Sequence, residues 1–258
     1  MPLSVHREFG FVTQLFDPLP ETIRPELASA LETAWSQLAA PGLWLTGTQR
    51  LAVVAEARNS WNCRLCRERK AALSPYTVKG EHDHLGELPP EWVDVIHRVT
   101  TDSGRLTQEW IEEVLSSSSI EEDEFVEIVG VAIIGISIDA FADGVGIKPP
   151  SLPAPKSGAP ARIRWNGATP GPGWVSTTAP ENAGSELEDH YRGGRGKFNI
   201  VRSLTLVPTA ATQLFDLLDN LYMENPGIHE LDGIDRSISR AQMEFLAARS
   251  SSLLGCFY

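Results

Sequence analysis

Cysteine, methionine and basic residues are scarce in this chain of 258 residues, with three Cys, three Met and 22 Lys+Arg against 34 Asp+Glu. The formal charge of −12 argues against the basic surface that nucleic-acid backbone or anionic lipid requires. An odd number of cysteines does not suit a secreted disulfide scaffold. Long apolar runs are also missing. The longest, 128–138, is closed by Glu127 and Asp139 and is about half the ~20 residues a membrane helix needs, so it reads as a buried helix. The opening residues lack a basic region followed by an apolar stretch, so no export signal is expected. No haem, flavin or nucleotide motif is present, and no organic cofactor is implied. The expectation is a cytoplasmic protein with reduced thiols and neither nucleic acid nor membrane as partner.

What is present is a core-forming composition, 42% apolar and 22% charged, in a helical pattern. Apolar residues at Ile23, Leu27, Leu31, Trp35 and Leu38 recur every three to four positions and predict a helix over 21–38. Further helices are expected over 46–58 and 63–73, the latter stopped by Ser74-Pro75. Pro89-Pro90 opens a fourth helix, 107–115 is a fifth, and Ser119 with Glu122 reads as the capping box of a long apolar helix running to about Phe141. Asp139, inside that helix, must find a partner if buried. Residues 149–174 hold seven prolines among small residues and read as a linker or extended wrap. Helical pattern returns over 207–222 and 239–250. The fold class is therefore all-α.

An internal repeat organises these elements. Thr46/Gln49 and Ser239/Gln242 are both capping boxes opening an apolar helix, and Cys63 and Cys256 each lie 17 residues after the capping hydroxyl. At the same offset Ala55 matches Ala248. Two copies of one helical unit are expected: a first domain at 15–148, a Pro/Gly-rich connector at 149–196, and an incomplete second copy at 197–258.

The chemistry is expected at the cysteines. Cys63 and Cys66 stand at i and i+3 where a helix begins, so both sulfurs share one face. The helix N-terminus and the nearby Arg64, Arg67, Arg69 and Lys70 favour a thiolate. Such a pair can attack an oxidant with one sulfur and resolve to a disulfide with the other. Zinc is the competing chemistry, since Cys63, Cys66, His82 and His84 supply four ligands of the right type. One residue separates the histidines, whereas finger patterns separate them by about three to five. The stretch 81–84 otherwise reads as a solvated polar loop. Glu244, twelve residues before Cys256, would face that thiol if the Ser250-Ser251-Ser252 stretch turned the chain back, and could then accept its proton.

The segment 238–258, with Glu244 twelve residues before Cys256, resembles the core of the alkylhydroperoxidase D (AhpD)-like / carboxymuconolactone decarboxylase superfamily. Residues 46–147, with Asn62-Cys-Arg-Leu-Cys66, resemble the same family more loosely. The resemblance implies an all-helical bundle, a homo-oligomer, a peroxide substrate and a thiol reductant or redox protein as partner. It implies a resolving role for Cys256 and a proton-relay role for Glu244 in the second copy. In the first copy it makes Cys66 the attacking sulfur and Cys63 the resolving one. Leu51 stands at the family's glutamate position and Lys70 at its relay-histidine position, so turnover there is expected to be slow. Glu56 is a substitute base or a surface residue, and His97 reads as a surface or packing histidine. A cysteine-independent decarboxylase-like enzyme and a non-catalytic helical scaffold are the alternatives. The second copy stops where the second cysteine of its C-x-x-C would fall, and the expectation is a longer protein with selenocysteine at that position.

Overall fold

Helix starts set by side-chain capping open the architecture. In the computed structural model, which describes residues 15–16, 23–171, 173–223 and 236–256, α2 (Gly47–Ser60) begins at Thr46. The Thr46 hydroxyl accepts the Gln49 N–H, and the Gln49 side chain accepts the Thr46 N–H. The last helix, α10 (Arg240–Leu253), repeats the device at Ser239 and Gln242. Both N-cap residues have the same backbone, φ −68 and ψ 160, so the repeated box produces a repeated local structure.

The other helices are α1 (Pro25–Leu38), α3 (Arg64–Ala71), α4 (Pro90–Asp102), α5 (Gln108–Ser117), α6 (Glu122–Gly144), α7 (Gly184–Leu187), α8 (Asn199–Arg202) and α9 (Pro208–Leu221). The chain is all-α, as expected from the periodicity. The first two residues of the helix expected over 21–38 lie outside the described residues. The box expected at Ser119/Glu122 forms two residues later, with Glu121 as N-cap and Glu124 as its partner. Ile120 is buried, and the acidic first turn after it complements the helix dipole.

α6 is long and apolar enough to cross a membrane by length and composition. In this fold it runs through the core, with α2, α4 and α9 packed around it. Two glycines allow the approach: a Cβ on Gly130 would sit 3.1 Å from Ala210 of α9, and one on Gly135 would sit 2.9 Å from Val54 of α2. Buried polar contacts fix the register. Glu127 of α6 accepts from Arg50 of α2 at 2.6 Å and from the Trp44 N–H at 2.7 Å, and Arg50 also donates to Gln213 of α9. Asp139 finds the partner it requires in Arg58, which grips both carboxylate oxygens at 2.7 and 2.8 Å.

The stretch 149–196 begins as a largely exposed strap along the bundle, over 151–162, and later buries Ala183, Leu187 and Tyr191 in an apolar cluster with Val201 and Phe215. Lys156 N–H donates to Ala39 and Arg162 N–H to Leu43, and the Trp35 indole donates to Ser151. It is not featureless: a short antiparallel ladder pairs β1 (Ala168–Thr169) with β2 (Thr177–Thr178). The core also runs across the expected domain boundary. Leu204, Leu206, Val207, Ala210, Leu214 and Leu217 join the same apolar cluster as α1, α2, α4 and α6.

Candidate functional site

α3 carries the C-x-x-C pair and is held at both ends. Cys63 is its N-cap residue and Cys66 lies in its first turn. Asp83, from the loop between α3 and α4, accepts the Arg64 N–H at 2.7 Å. At the other end Arg105 donates to the carbonyls of Arg69 and Ala72 at 2.9 and 2.6 Å. These contacts satisfy the backbone groups that a short helix leaves open. Both sulfurs are buried, and both cysteines are free thiols.

The loop 79–88 folds over the pair. Glu56 of α2 accepts the Leu85 N–H at 3.0 Å, and Asn59 donates to the Asp83 carbonyl at 2.7 Å. This pinning sets His82 above the cysteines, with Nδ1 3.5 Å from Cys63 Sγ and 3.5 Å from Cys66 Sγ. The expected solvated loop is thus partly right: Glu81, Asp83 and His84 are exposed, Asp83 while holding the Arg64 N–H, whereas His82 is half-buried against the cysteines.

His97 of α4 comes from below. It is fully buried, with Nδ1 3.2 Å from Cys66 Sγ and Nε2 2.8 Å from Glu56 Oε1. The surface alternatives for His97 and Glu56 are therefore corrected, since both are interior residues. Asp94, one turn earlier on α4, lies 3.0 Å from His82 Nε2. Each histidine thus has a carboxylate at Nε2 and turns Nδ1 toward sulfur, and the Arg69 guanidinium also lies 3.0 Å from His82 Nε2. The ligand atoms of Cys63, Cys66, His82 and His97 lie within 4.8 Å of one another. Sequence reasoning offered Glu56 as a substitute base but did not place His97 or Asp94 at the cysteines, although Asp94, His97 and Thr101 recur along one face of α4 at helical spacing.

Electrostatics differ from the sequence expectation. Burial, the largest influence, pushes the Cys66 thiol up to about 12, while the Thr101 hydroxyl and the Arg69 guanidinium lower it. Of the four basic residues counted as thiolate-stabilising, Arg69 acts on Cys66, whereas the other three are engaged elsewhere. Arg64 pairs with Glu68, Arg67 binds the Asn62 carbonyl, and Lys70 sits over the Trp61 ring. Arg69 pairs with Asp94, which also binds Arg98. Burial likewise lowers His97, outweighing the raising effect of Glu56. For Glu56, burial would raise the carboxyl, but hydrogen bonds from His97, Leu85 and Asn59 hold it below the usual range. Asp94 is held well below its usual range in the same way, burial being outweighed by His82, Arg98 and Arg69. Burial thus favours the neutral form of both the Cys66 thiol and the His97 imidazole, whose Nε2 lies 2.8 Å from Glu56.

The second cysteine site is not assembled in this way. α10 does not break at the serines; it continues through Ser250–Ser252 to Leu253. Gly255 then takes φ 71, and the Gly255 and Cys256 N–H groups donate to Ser252 and Ser251, a Schellman stop. Glu244 lies in the second turn, paired with Arg240 and bonded by the Tyr222 hydroxyl. Nine residues of helix, about 13 Å at ~1.5 Å each, separate Glu244 from Leu253, and exposed Cys256 lies beyond that end. The residues after Cys256 lie outside the described residues. The α10 terminus does approach the first site: a cavity of about 310 Å³ is lined by Trp61, Lys70, Thr101, Asp102, Leu254 and Gly255, among others. Thr101 borders both, since its hydroxyl donates to the His97 carbonyl and acts on Cys66.

Comparison of the chain with protein-family models, with curated proteins and with solved structures gives no match.

Proposed function

We propose that this chain is a thiol-dependent, peroxidase-like redox protein of the AhpD-like type, acting through Cys66, His97 and Glu56 with Cys63 as resolving thiol. The observation that carries the reading is the linked chain of contacts: Cys66 Sγ at 3.2 Å from His97 Nδ1, and His97 Nε2 at 2.8 Å from Glu56. A nucleophile, a base and a group that orients the base stand in hydrogen-bond order. This relay replaces, with residues from α2 and α4, the positions that Leu51 and Lys70 leave unfilled. Leu51 is buried in the apolar core and Lys70 is exposed on α3.

In the proposed reaction His97 accepts the Cys66 proton as the sulfur attacks the outer oxygen of a hydroperoxide. The O–O bond breaks, the alcohol leaves with that proton, and Cys66 becomes a sulfenic acid. The Cys63 thiol then attacks Cys66, water leaves, and a disulfide forms. The two thiols supply the two electrons, and an external thiol or redox protein restores them. Substrate would enter through the cavity beside Thr101. The repeated capping unit and the helix order support the family reading, and with it a homo-oligomer in a reducing compartment.

The test is peroxide consumption by reduced, chelator-treated protein. Cys66→Ser should abolish it, Cys63→Ser should trap the sulfenic acid, and His97→Asn should slow it by about 10²–10⁴-fold, as loss of a general base does. Consumption unchanged by Cys66→Ser would exclude the assignment.

A further inference from the structure

We infer that Cys63, Cys66, His82 and His97 form a closed four-ligand site for a zinc-type divalent ion, outside the chemistry proposed above. The inference rests on the ligand geometry alone. With Zn–S of about 2.3 Å and Zn–N of about 2.05 Å, a tetrahedron has S···N edges of about 3.6 Å. Three of the four S···N distances are 3.5, 3.5 and 3.2 Å, and all four ligand atoms lie within 4.8 Å of one another, so an ion can be seated with small adjustments. Two thiolates and two imidazoles are the donor set that selects zinc over harder ions. The complex would carry no net charge, which suits a site whose sulfurs are buried.

The surroundings are those of a metal centre. Both histidines turn Nδ1 inward and place Nε2 against a carboxylate, Glu56 for His97 and Asp94 for His82. A carboxylate behind His97 fixes the tautomer that coordinates and strengthens the ligand, while at His82 the Arg69 guanidinium shares Nε2 with Asp94, each at 3.0 Å. Asp94 is in turn held by Arg69, Arg98 and the Trp110 indole. His84, the ligand that sequence spacing offered, is exposed and His97 takes its place.

The site has a consequence that does rest on the dithiol reading. Ion and disulfide exclude each other, because both use the same two sulfurs. Oxidation would balance as one zinc dithiolate, one hydroperoxide and two protons giving one disulfide, one alcohol, one water and one released Zn²⁺. The peroxide accepts two electrons and the two sulfurs lose them. Oxidation of the zinc-loaded pair would therefore release the ion.

The experiment is titration of the reduced, metal-stripped full chain with CoCl₂. The expected result is one Co²⁺ per chain, a sulfur-to-cobalt charge-transfer band and intense tetrahedral d–d bands, with two sulfur and two nitrogen neighbours by X-ray absorption. His84→Ala should leave the spectrum unchanged. Glu56→Gln and Asp94→Asn should each weaken affinity by about 10–100-fold. Natively folded wild-type protein that gives only weak octahedral absorption, or loss of the signal in His84→Ala, would overturn the site. A second arm adds an organic hydroperoxide to the zinc-loaded chain and measures release with a chromogenic chelator. One zinc per disulfide is expected. Zinc held firmly against peroxide would overturn the coupling and the dithiol reading but leave the metal site standing, whereas no cobalt uptake with disulfide formation intact would do the reverse.

Discussion

Replacing Glu56 by glutamine separates the carboxylate's positioning role from its bulk. Glu56 is 1% exposed. Its Oε1 accepts from His97 Nε2 at 2.8 Å and Asn59 Nδ2 at 2.9 Å, and its Oε2 accepts the Leu85 N–H at 3.0 Å. In Glu56→Gln the amide oxygen can keep His97 and Asn59, but the NH₂ then faces the Leu85 N–H, donor against donor. An unsatisfied buried donor costs about 1–3 kcal/mol. That cost falls on the loop 79–88, which carries His82, and not on the helical core. At about 1.4 kcal/mol per tenfold, opening of the loop should rise about 5- to 150-fold. Amide hydrogen exchange read by mass spectrometry is the assay. Exchange of peptides covering Leu85 should accelerate by that factor, while α6 peptides should stay as protected as in the wild type. Exchange over the loop within about twofold of wild type would refute the idea that Glu56 holds His82 in place.

Four other predictions concern stability and reactivity. Glu127→Ala strands the Arg50 guanidinium, which is 2% exposed, and should cost about 3–5 kcal/mol in urea unfolding. Gly42→Ala should cost a comparable amount, because its Cβ would fall 1.7 Å from Glu127 Oε1. Burial depresses His190, whose Nε2 donates to the Val201 carbonyl at 2.8 Å. A histidine depressed in the folded state adds stability above its unfolded value of about 6.5 and loses it as pH falls below that. The urea midpoint of wild type should therefore drop more between about pH 7.5 and about pH 5 than that of His190→Gln. Of the three free thiols only Cys256 is exposed, so an aromatic disulfide reagent should label it at once and reach Cys63 and Cys66 only after local opening.

The contrast between what the residues announced and what folding decided follows the range of the interactions. Both capping boxes are local, reading three residues apart, and both form as written. The C-x-x-C pair is local as well, and so is its place at a helix start. The α6 cap moved to Glu121 because a glutamate can also close such a box and the burial of Ile120 sets where the helix enters the core. His97 and Glu56 lie 31 and 10 residues from Cys66 in sequence, and they meet it only because α2 and α4 pack together. Periodicity shows that each helix has an apolar face but not which polar residue on a neighbour will meet it. Charge counting misled for the same reason: four basic residues surround the cysteines in sequence, but three take other partners and Arg69 is drawn to Asp94. Glu244 failed to meet Cys256 because three serines tolerate helical backbone well enough for α10 to continue through them.

Peptide mapping, after one equivalent of an organic hydroperoxide is added to reduced, chelator-treated protein, decides whether Cys63 and Cys66 act as one redox pair beside His97. An intramolecular Cys63–Cys66 disulfide is expected, with one alcohol released per disulfide and loss of both products in Cys66→Ser. Recovery of both thiols in alkylatable form, with oxidation confined to Cys256, would contradict it.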